Sequence, residues 1–356
     1  MDKSNLFERN PKKTVLAVVL LFAIFVDFSA GYFFIPKISG RPSDYYHHDL
    51  KKYFKDRVSW GSEEQFIYTD SLGFKDAGNR RVELAGDKRR IVFIGDSFVE
   101  GVGMPYQKTF IGLIDGKLDK SKFEILNAAV ASYSPKLYYL KVKYLVENLG
   151  LKFDELYVYI DISDIQDEIT YEDFFPIPAG SFKSIYVYAD AFFKQHSVIY
   201  SGWLRENLLR LGYLVKNRGG NAAATRDQYY DDYYKTRDLW TDDERSYDAW
   251  GKKGVDLAVG NMDKLYRLCK DHGIKLTVAV YPWPHQIKAR DIDSKQVAVW
   301  KKFTQDRGLA FIDYFPDFIG SSSPDSIIQK YFIKGDVHWN EAGHGLIAQG
   351  WLDRHK

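Results

Sequence analysis

Cysteine is almost absent from this 356-residue chain, and so is any excess of charge of one sign. The single cysteine, Cys269, excludes an intrachain disulfide. It lies at helical spacing from Leu265 and Leu268, which favours a buried structural thiol. The 50 Lys and Arg residues nearly balance the 48 Asp and Glu residues, for a formal net charge of +2. Because the basic residues form no stripe, the charge pattern argues against nucleic-acid binding.

Apolar and aromatic residues, in contrast, are plentiful. The chain is 45% apolar and 28% charged, as expected for a packed globular protein of one large or two modest domains. Aromatic residues make up 16%, with 26 tyrosines. A tyrosine packs through its ring and hydrogen-bonds through its hydroxyl. This composition suits a carbohydrate-facing surface, and it suits ordinary packing equally well.

One long apolar run, residues 14–35, contains a single charged residue. As a helix it measures about 33 Å at ~1.5 Å per residue, enough to cross a membrane. Four basic residues precede it, so residues 1–13 are predicted to be a cytoplasmic tail and the rest to lie on the periplasmic or extracellular side of the cytoplasmic membrane. An aromatic belt at 32–34 and the lack of a small-residue cleavage site favour an uncleaved anchor over a signal peptide.

Asp27 interrupts this run toward its outer end. A charged side chain costs roughly 2.5 to 3.5 kcal/mol at the centre of a membrane-spanning helix. Two interpretations stay open: local hydration of the carboxylate, or a docking contact with a second membrane protein.

The exported part divides into a lead-in and an α/β domain. Residues 36–89 lack a clear period and are interpreted as a linker and lead-in. Residues 90–356 alternate short buried strands with amphipathic helices, which predicts a doubly wound parallel sheet with helices on both faces. The predicted strands are 91–94, 123–127, 156–160, 276–281 and 310–314, and the predicted helices are 109–118, 135–148, 255–272 and 295–306. The aromatic-rich segment 168–251 is too long for an ordinary connection and is predicted to be an insertion above the carboxyl edge of the sheet.

The first predicted strand stops abruptly at Gly95-Asp96-Ser97. A polar turn at the carboxyl edge of an open α/β sheet lies where such folds bind ligands, so Ser97 is a candidate nucleophile. Near the other end of the chain, Asp336 precedes His338 by two residues on a loop before a helix. A carboxylate so placed can hold an imidazole in one tautomer while the other nitrogen accepts a proton. His338 is therefore a candidate general base.

These two segments resemble the first and last blocks of the SGNH, or GDSL-like, hydrolase superfamily. The resemblance implies a three-layer, flavodoxin-like fold with Ser97 as nucleophile, His338 as base and Asp336 as the orienting acid. It also implies an oxyanion hole formed by Ser97, Ser132 and Ser163. Ser132 stands at the family's glycine position, where only a backbone N–H is needed. Ser163 stands at the family's asparagine position, and loss of a side-chain donor typically costs ~100 to 1000-fold in rate.

Four acidic residues, Asp161, Asp164, Asp167 and Glu168, suggest a cation site at first sight. Their spacing matches no calcium loop, so a solvated or arginine-paired edge is favoured. No metal and no cofactor are predicted.

A second polar turn, VAVYPWPHQ, follows the predicted strand 276–281. Trp283, His285 and Gln286 are predicted to bind substrate there, since an indole stacks on sugar rings and an amide binds hydroxyls. The alternative is a proline-fixed loop that packs its tryptophan inward. Trp339 is also assigned to substrate binding. Together with the short Asp-x-His spacing, it resembles the branch that acetylates exopolysaccharides such as alginate, whose members work beside a membrane-bound O-acyltransferase.

Two functions remain open from the sequence. The first is a membrane-anchored, exported serine esterase or O-acyltransferase that acts on acyl esters of an envelope polysaccharide through an acyl-Ser97 intermediate. Hydrolysis and transfer differ only in whether water or a sugar hydroxyl attacks that intermediate. The second is a catalytically impaired carbohydrate-binding or scaffolding module of the same fold. An α/β-hydrolase lipase is disfavoured, because Ser97 does not lie in a Gly-x-Ser-x-Gly motif.

Overall fold

The structure, a computed structural model, describes residues 10–60, 63–205, 207–208 and 236–355. The chain forms two compact units. One consists of Met1–Ile38 and Pro178–Gln228, and the other of Ser39–Ile177 and Tyr229–Lys356. The candidate functional residues named above all belong to the second unit.

The strands are β1 Gly40–Ser43, β2 His47–Leu50, β3 Lys55–Trp60, β4 Glu63–Thr69, β5 Lys75–Asp76, β6 Arg89–Ile94, β7 Phe123–Asn127, β8 Glu155–Ile160, β9 Lys275–Val280 and β10 Ala310–Asp313. The helices are α1 Pro11–Phe34, α2 Ser97–Glu100, α3 Phe110–Lys117, α4 Pro135–Lys143, α5 Asp164–Thr170, α6 Phe182–His196, α7 Glu244–Ser246, α8 Lys252–Asp271, α9 Pro284–Ala289, α10 Lys295–Gln305, α11 Phe315–Phe318, α12 Pro324–Tyr331 and α13 Glu341–Arg354. Short 3₁₀ or π turns lie at Tyr106–Lys108, Tyr144–Asn148, Tyr200–Leu204, Leu239–Thr241 and Tyr247–Gly251.

The predicted parallel sheet is confirmed. Its five parallel strands run in the order β7-β6-β8-β9-β10, which is the 2-1-3-4-5 order of a doubly wound, flavodoxin-like fold. Helices flank this sheet, with α3 packed against α13 and α4 against α8. In this order the strand that precedes Ser97, β6, lies inside the sheet between β7 and β8, where the strand order reverses. The carboxyl end of β6 is therefore at the position where doubly wound folds form their ligand crevice.

The strands were predictable because they are buried on both faces. Every residue of β8 is buried, and so is every residue of β6 after Arg89, which produces the unbroken apolar runs seen in the sequence. The predicted glycine caps are also present: Gly150 and Gly273 have φ of +72° and +68°, the left-handed conformation that ends a helix. The observed bounds of strands and helices lie within a few residues of the predicted ones.

The interpretation of residues 36–89 as a linker is corrected for the stretch that contains β1 to β5. β3, β4 and β5 extend the sheet in antiparallel fashion, with Lys75 of β5 paired to Asn127 of β7. β1 and β2 form a separate hairpin. β3 alternates exposed and half-buried residues, since it is the edge strand. Short, partly exposed strands of this kind carry little apolar signal, which is why the sequence pattern did not reveal them.

The predicted insertion at 168–251 is described only in part, because residues 206 and 209–235 lie outside the described residues. Its returning end contacts the carboxyl edge of the sheet. The indole N–H of Trp240 donates to the carbonyl oxygen of Ile162, just after β8, at 2.8 Å. The guanidinium of Arg237 lies 5.2 Å from the ring centre of Trp283, just after β9. Two residues of the insertion therefore contact the segments that directly follow β8 and β9.

In the other unit, α1 has 24 residues and is long and apolar enough to cross a membrane, either as an anchor or as a signal sequence. Its predicted bounds, 14–35, agree with the observed helix apart from the first turn. The carboxyl end of α1 packs against the end of α6.

Candidate active site

Ser97 is the first residue of α2, directly after the turn that ends β6. Asp96 caps this short helix, since its side chain accepts a hydrogen bond from the backbone N–H of Phe98 at 3.0 Å. Gly95 leaves no room for a side chain: a Cβ atom there would lie 2.3 Å from Cγ2 of Val99. The tight turn therefore requires glycine, and it places the partly exposed Ser97 at the carboxyl edge of the sheet.

The structure brings Ser97, His338 and Asp336 together. His338 Nε2 lies 2.8 Å from Ser97 Oγ, and His338 Nδ1 lies 2.6 Å from Asp336 Oδ1. The imidazole is 7% exposed and packs against the ring of Phe98, with ring centres 4.7 Å apart. When Asp336 accepts a hydrogen bond from the N–H at Nδ1, Nε2 is left unprotonated and can accept a proton from the serine hydroxyl.

The loop that carries the aspartate and histidine is held at both ends. Its backbone is closed by hydrogen bonds from Ile333 N–H to His338 O and from Asp336 N–H to Ile333 O. Between them Gly335 has φ of +77°, which glycine adopts without steric cost. Asn340 then caps α13, accepting two backbone N–H groups at 2.9 and 3.1 Å. This local network fixes the His338 backbone beside the Asp336 carboxylate.

Trp60, on the edge strand β3, is the hydrogen-bond partner of the other oxygen of the Asp336 carboxylate. Its indole N–H donates to Asp336 Oδ2 at 2.8 Å, and its ring lies edge-on to His338 with ring centres 4.9 Å apart. Partial burial alone would raise the pKa of Asp336, but the hydrogen bond and charge of His338 and the Trp60 donor outweigh it. The pKa of Asp336 therefore lies well below its usual range, and the carboxylate stays ionised beside the histidine.

The two backbone N–H groups predicted to form the oxyanion hole are those of Ser97, on the serine turn, and Ser132. Within the described residues, neither the N–H of Ser97 nor that of Ser132 donates to a protein acceptor. Ser132 has φ of +61°, the left-handed conformation in which glycine is favoured. Its loop is fixed from both sides, because Ala131 N–H donates to Glu100 Oε2 at 2.8 Å and Tyr171 donates its hydroxyl to Ser132 O at 2.9 Å.

Ser163 does not supply the side-chain donor that the resemblance implied. Its backbone N–H and its hydroxyl both donate to Asp161 Oδ1, at 2.6 and 2.8 Å, and the residue is buried. The other oxygen of Asp161 accepts the indole N–H of Trp283 at 2.8 Å. Because Asp161 already binds both donors of Ser163, this position is corrected to a structural role.

Asp161 belongs to a buried group of carboxyls that also contains Asp96 and Asp164. Their ligand oxygens lie within 4.8 Å of one another. Burial, together with the charges of neighbouring carboxylates, raises the pKa of Asp96 and of Asp164 well above the usual range. The hydroxyl of Tyr281 donates a hydrogen bond to Asp96 at 3.2 Å, and the hydroxyl of Tyr138 donates one to Asp164 at 2.7 Å. Asp96 itself belongs to the serine turn, so this buried group adjoins the turn that carries Ser97.

Of the four acidic residues grouped in the sequence, Asp161 and Asp164 stay together in this buried group, whereas Asp167 and Glu168 have other partners. Glu168 accepts from the hydroxyl of Ser134 and the amide of Asn261, at 2.9 and 2.7 Å, and Asp167 lies 3.7 Å from Arg237. The interpretation as a solvated or arginine-paired edge is therefore wrong for three of the four residues: all four are buried, and within the described residues only Asp167 lies within ion-pairing distance of an arginine. The absence of a metal or cofactor stays a prediction.

Two of the predicted substrate-binding residues lie in the interior, so their assignment is wrong. Trp339 and Gln286 are both fully buried. Trp339 packs against Phe98 and Tyr281, with ring centres 4.9 and 4.6 Å away. Gln286 accepts the backbone N–H of Trp283 at 3.0 Å, which closes the first turn of α9. A proline-started helix after β9 draws the glutamine inward, which the sequence pattern did not distinguish from an exposed turn.

The other two predicted binding residues differ from each other. Trp283 is 5% exposed, and its indole N–H is taken by Asp161, so the alternative of an inward-packed tryptophan describes it better. His285 is partly exposed and binds Asp242 at 2.7 Å. Its role in substrate binding stays a prediction. Ser97 Oγ is bonded to His338 and not to His285, as expected if His338 is the base.

Two buried residues that the sequence did not mark help to hold the serine turn. The ammonium group of Lys75 donates hydrogen bonds to the carbonyl oxygens of Gly101 and Met104, at 2.7 and 2.6 Å. These two residues follow α2 directly in the chain. Burial lowers the pKa of Lys75 to about 8. Neither Lys75 nor Trp60 lies in a motif, and both come from the antiparallel strands that escaped the sequence pattern.

Fold and site together define the class of protein: a doubly wound α/β domain with a serine, a histidine and an aspartate hydrogen-bonded in series at the carboxyl edge of its sheet. No protein-family model matches the chain, and no curated protein matches it.

Solved structures similar to the chain include three esterases or lipases. An acetylxylan esterase from Geobacillus stearothermophilus is 14% identical, covering 76% of this chain and 95% of its own, with a TM-score of 0.39. A GDSL-like lipase from Bacteroides thetaiotaomicron is 12% identical, covering 77% and 91%, with a TM-score of 0.39. A member of the lipolytic G-D-S-L family from Veillonella parvula is 14% identical, covering 74% and 97%, with a TM-score of 0.38.

Proposed function

We propose that the chain is a serine esterase or O-acyltransferase of the SGNH, or GDSL-like, type. The observation that carries the proposal is the series of hydrogen bonds from Ser97 through His338 to Asp336, at 2.8 and 2.6 Å. A partly exposed serine bonded to an imidazole, with that imidazole oriented by an ionised carboxylate, is the arrangement that activates a hydroxyl for attack on an acyl carbonyl.

In the proposed reaction, Ser97 Oγ attacks the carbonyl carbon of an acyl ester while His338 Nε2 takes the hydroxyl proton. The ester C–O bond then breaks, and His338 returns the proton to the departing alcohol, which leaves an acyl-Ser97 intermediate. Water or a second hydroxyl group then attacks the acyl carbon and loses its proton to His338. The bond from the acyl carbon to Ser97 Oγ breaks, and His338 returns the proton to the serine oxygen, which releases the acid or the new ester. The N–H groups of Ser97 and Ser132 are the proposed donors to the oxyanion in both halves of the reaction.

For the substrate we propose acyl esters, acetyl esters above all, of a cell-envelope or extracellular polysaccharide. The proposal includes anchoring by α1, with the α/β domain exported. The length and apolar character of α1 and the basic residues before it support this location. A membrane-bound O-acyltransferase is the proposed partner. It is supported by the sequence resemblance to the polysaccharide-acetylating branch, carried by the short spacing between Asp336 and His338.

A second candidate function is a catalytically impaired module of the same fold that binds carbohydrate or scaffolds a membrane complex. The observation that favours it is the engagement of Ser163 with Asp161, which leaves the asparagine position of the family without a free side-chain donor.

Covalent labelling separates the two. The full-length chain in detergent should react with a fluorophosphonate at Ser97, and labelling should be lost in Ser97→Ala and His338→Ala. The matched controls are Ser326→Ala, an exposed serine on α12, and His272→Ala, an exposed histidine at the end of α8. Both controls should label like the wild type. A folded wild-type chain that does not label would favour the impaired module.

Hydrolysis and transfer are distinguished by the products. With an acetyl ester donor alone, an esterase releases acetate. With an added oligosaccharide acceptor, a transferase forms acetylated oligosaccharide at the expense of free acetate, because the sugar hydroxyl and water compete for the same acyl-Ser97 intermediate. Acetate release unchanged by every acceptor tested would assign the chain to hydrolysis.

A further inference from the structure

Helix α6 and the turn after it expose large apolar side chains. The exposed fractions are 93% for Phe182, 58% for Ile185, 62% for Tyr186, 57% for Ile199 and 66% for Trp203. Single exposed apolar residues are ordinary, but a concentration within one helix and its following turn marks a surface that another phase or molecule covers.

Four exposed apolar residues of α6 share one face with the half-buried Ala189. Phe182, Ile185, Tyr186, Ala189 and Phe193 stand at positions i, i+3, i+4, i+7 and i+11, which is the spacing of a continuous stripe along a helix. We call these five residues the apolar face of α6. The basic residues Lys183 and Lys194 lie outside that stripe by the same spacing and are exposed. The helix is thus amphipathic, with lysines at the flank of an apolar face.

The carboxyl end of α6 is attached to α1, within the same unit. The carboxylate of Asp27, in α1, accepts a hydrogen bond from the hydroxyl of Ser197 at 2.5 Å and another from the backbone N–H of Ile199 at 2.9 Å. Phe28 lies against Phe192 and Phe193, with ring centres 6.0 and 6.2 Å away. The apolar face of α6 therefore continues, through Phe193, into the surface of α1.

In this contact the backbone of α1 at Gly31 lies directly against the backbone of α6 at His196. A Cβ atom on Gly31 would lie 2.0 Å from the carbonyl oxygen of His196, so only glycine permits the approach. From the sequence, Asp27 was interpreted as either locally hydrated or docked on a second membrane protein. The structure indicates a third role, an intrachain contact, because its carboxylate accepts hydrogen bonds from Ser197 and Ile199. Since those residues lie beyond α1 in the chain, the contact needs α1 to be retained, which favours an anchor over a cleaved signal sequence.

The contact between α1 and α6 also sets how far the carboxyl end of α6 lies from the end of α1. Asp27 and Gly31 stand in the last two turns of α1, roughly 5 to 10 Å from its end at ~1.5 Å per residue. Amphipathic helices that bind membranes bury their apolar face to about this depth, at the boundary of headgroups and acyl chains, with basic residues toward the headgroups. An apolar face joined to a spanning helix at that level is continuous with the lipid-facing surface of the helix.

We propose that α6 lies in the outer interface of the bilayer, with its apolar face among the lipid acyl chains. The proposal rests on the membrane anchoring by α1 proposed above. The exported part of the chain would thereby bind the bilayer through α6, in addition to its anchoring by α1.

Depth-dependent quenching tests this on the full-length chain in lipid nanodiscs. The native thiol is no obstacle, since Cys269 is buried and burial raises its pKa to about 12. An environment-sensitive fluorophore is attached to Phe182→Cys, which loses no packing, to Lys183→Cys as the matched control on the next residue, and to Leu20→Cys in the middle of α1. Each is exposed to doxyl-labelled lipid and, separately, to aqueous iodide.

The expected result is strong lipid quenching at Leu20→Cys and Phe182→Cys, several-fold weaker lipid quenching at Lys183→Cys, and iodide quenching at Lys183→Cys only. Iodide quenching without lipid quenching at Phe182→Cys would place the face in water and overturn the proposal. Shielding of Phe182→Cys from both quenchers would also overturn it, in favour of a protein partner or a second copy.

The Leu20→Cys label keeps the two proposals apart. If it is quenched by lipid while Phe182→Cys is not, anchoring holds and the membrane contact of α6 is wrong. If Leu20→Cys is not quenched by lipid, the anchor itself fails, and the placement of α6 fails with it.

Discussion

Trp60 donates its indole N–H to Asp336 Oδ2 at 2.8 Å, across 276 positions of sequence. A residue of the edge strand thereby completes the hydrogen bonding of the carboxylate that orients His338. Trp60 bonds Asp336 and packs against His338, so we infer that it is a positioning residue in the proposed mechanism.

Trp60→Phe should therefore lower kcat with little change in KM. A hydrogen bond to a charged group contributes about 1.5 to 3 kcal/mol, so a decrease of roughly tenfold or more is expected if the bond is used fully in the transition state. The ring of phenylalanine still packs against His338, which separates the hydrogen bond from the packing. Ester hydrolysis rates across substrate concentrations check this, with Trp203→Phe as the control. Equal kcat for the two variants would contradict a positioning role.

Asp336→Asn should reduce turnover far more. An asparagine can hold His338 in the wrong tautomer and cannot stabilise its charged form, and in serine enzymes this change costs about 10⁴-fold. Asp242→Asn is the matched control, because Asp242 binds His285 at 2.7 Å, close to the 2.6 Å separation of Asp336 and His338. Steady-state hydrolysis of an activated acetyl ester measures both variants. A large loss in Asp242→Asn as well would call the choice of base into question.

Ser132→Gly should stabilise the protein, and Ser132→Val should destabilise it. The left-handed conformation at Ser132 costs a non-glycine residue roughly 1 kcal/mol, more for a β-branched side chain, and glycine adopts it freely. The thermal midpoints of the two variants, measured by differential scanning fluorimetry, should lie on opposite sides of the wild-type value. Midpoints in the reverse order would mean that this loop has another backbone conformation.

Acid should destabilise the fold through His344. Burial, with smaller contributions from the charges of Lys75 and His338, lowers its pKa to about 3, and its Nδ1 accepts the Phe110 N–H at 3.2 Å. Between pH 3 and the unfolded value of 6.5, the unfolded chain binds the proton and the folded chain does not. The free energy of unfolding therefore falls as the pH falls through that window, by up to ~1.4 kcal/mol per pH unit.

His344→Asn tests this. Asparagine does not titrate, and its amide oxygen can accept the Phe110 N–H. Denaturant unfolding at a series of pH values should give a shallower slope for the variant between pH 3 and the upper end of that window at 6.5. Identical slopes for wild type and variant would show that His344 is already charged in the folded protein.

Gly31→Leu should detach α6 from α1. The new side chain would meet the His196 carbonyl, where a Cβ atom already lies only 2.0 Å away. Trypsin cleavage at Lys183 and Lys194, followed by mass spectrometry in nanodiscs, should become faster because local opening precedes cleavage. Ala17→Leu, an exposed position on the same helix, is the control. No change in cleavage rate for Gly31→Leu would argue against the contact.

Local features of this protein were predictable because each depends on residues close together in the chain. The strand at Phe123–Asn127 has the predicted bounds, and β8 was predicted to within one residue because a strand buried on both faces is a nearly continuous apolar run. The pairing of Asp336 with His338 follows from a two-residue spacing on one loop. The order of five alternating strands and helices leaves few parallel topologies, and the observed sheet is the common one.

Side-chain direction was less predictable. Gln286 and Trp339 follow strands or precede helices in polar segments, as exposed binding residues do, yet both are buried. A helix cap and a packed aromatic cluster decide their direction, and neither leaves a distinct periodic signal. Ser163 similarly matches the position of a family donor, while its neighbour Asp161 binds both of its hydrogen-bond donors.

The sequence by itself determined the long apolar helix near the amino terminus, the buried strands and the two ends of the proposed catalytic series. Only the tertiary structure decided that Ser97 Oγ lies 2.8 Å from a histidine 241 positions away, and that Trp60 and Asp27 find their partners in distant segments. Periodicity in a sequence specifies which face of an element is buried, but the partner on the other side is chosen by the packing of the whole chain.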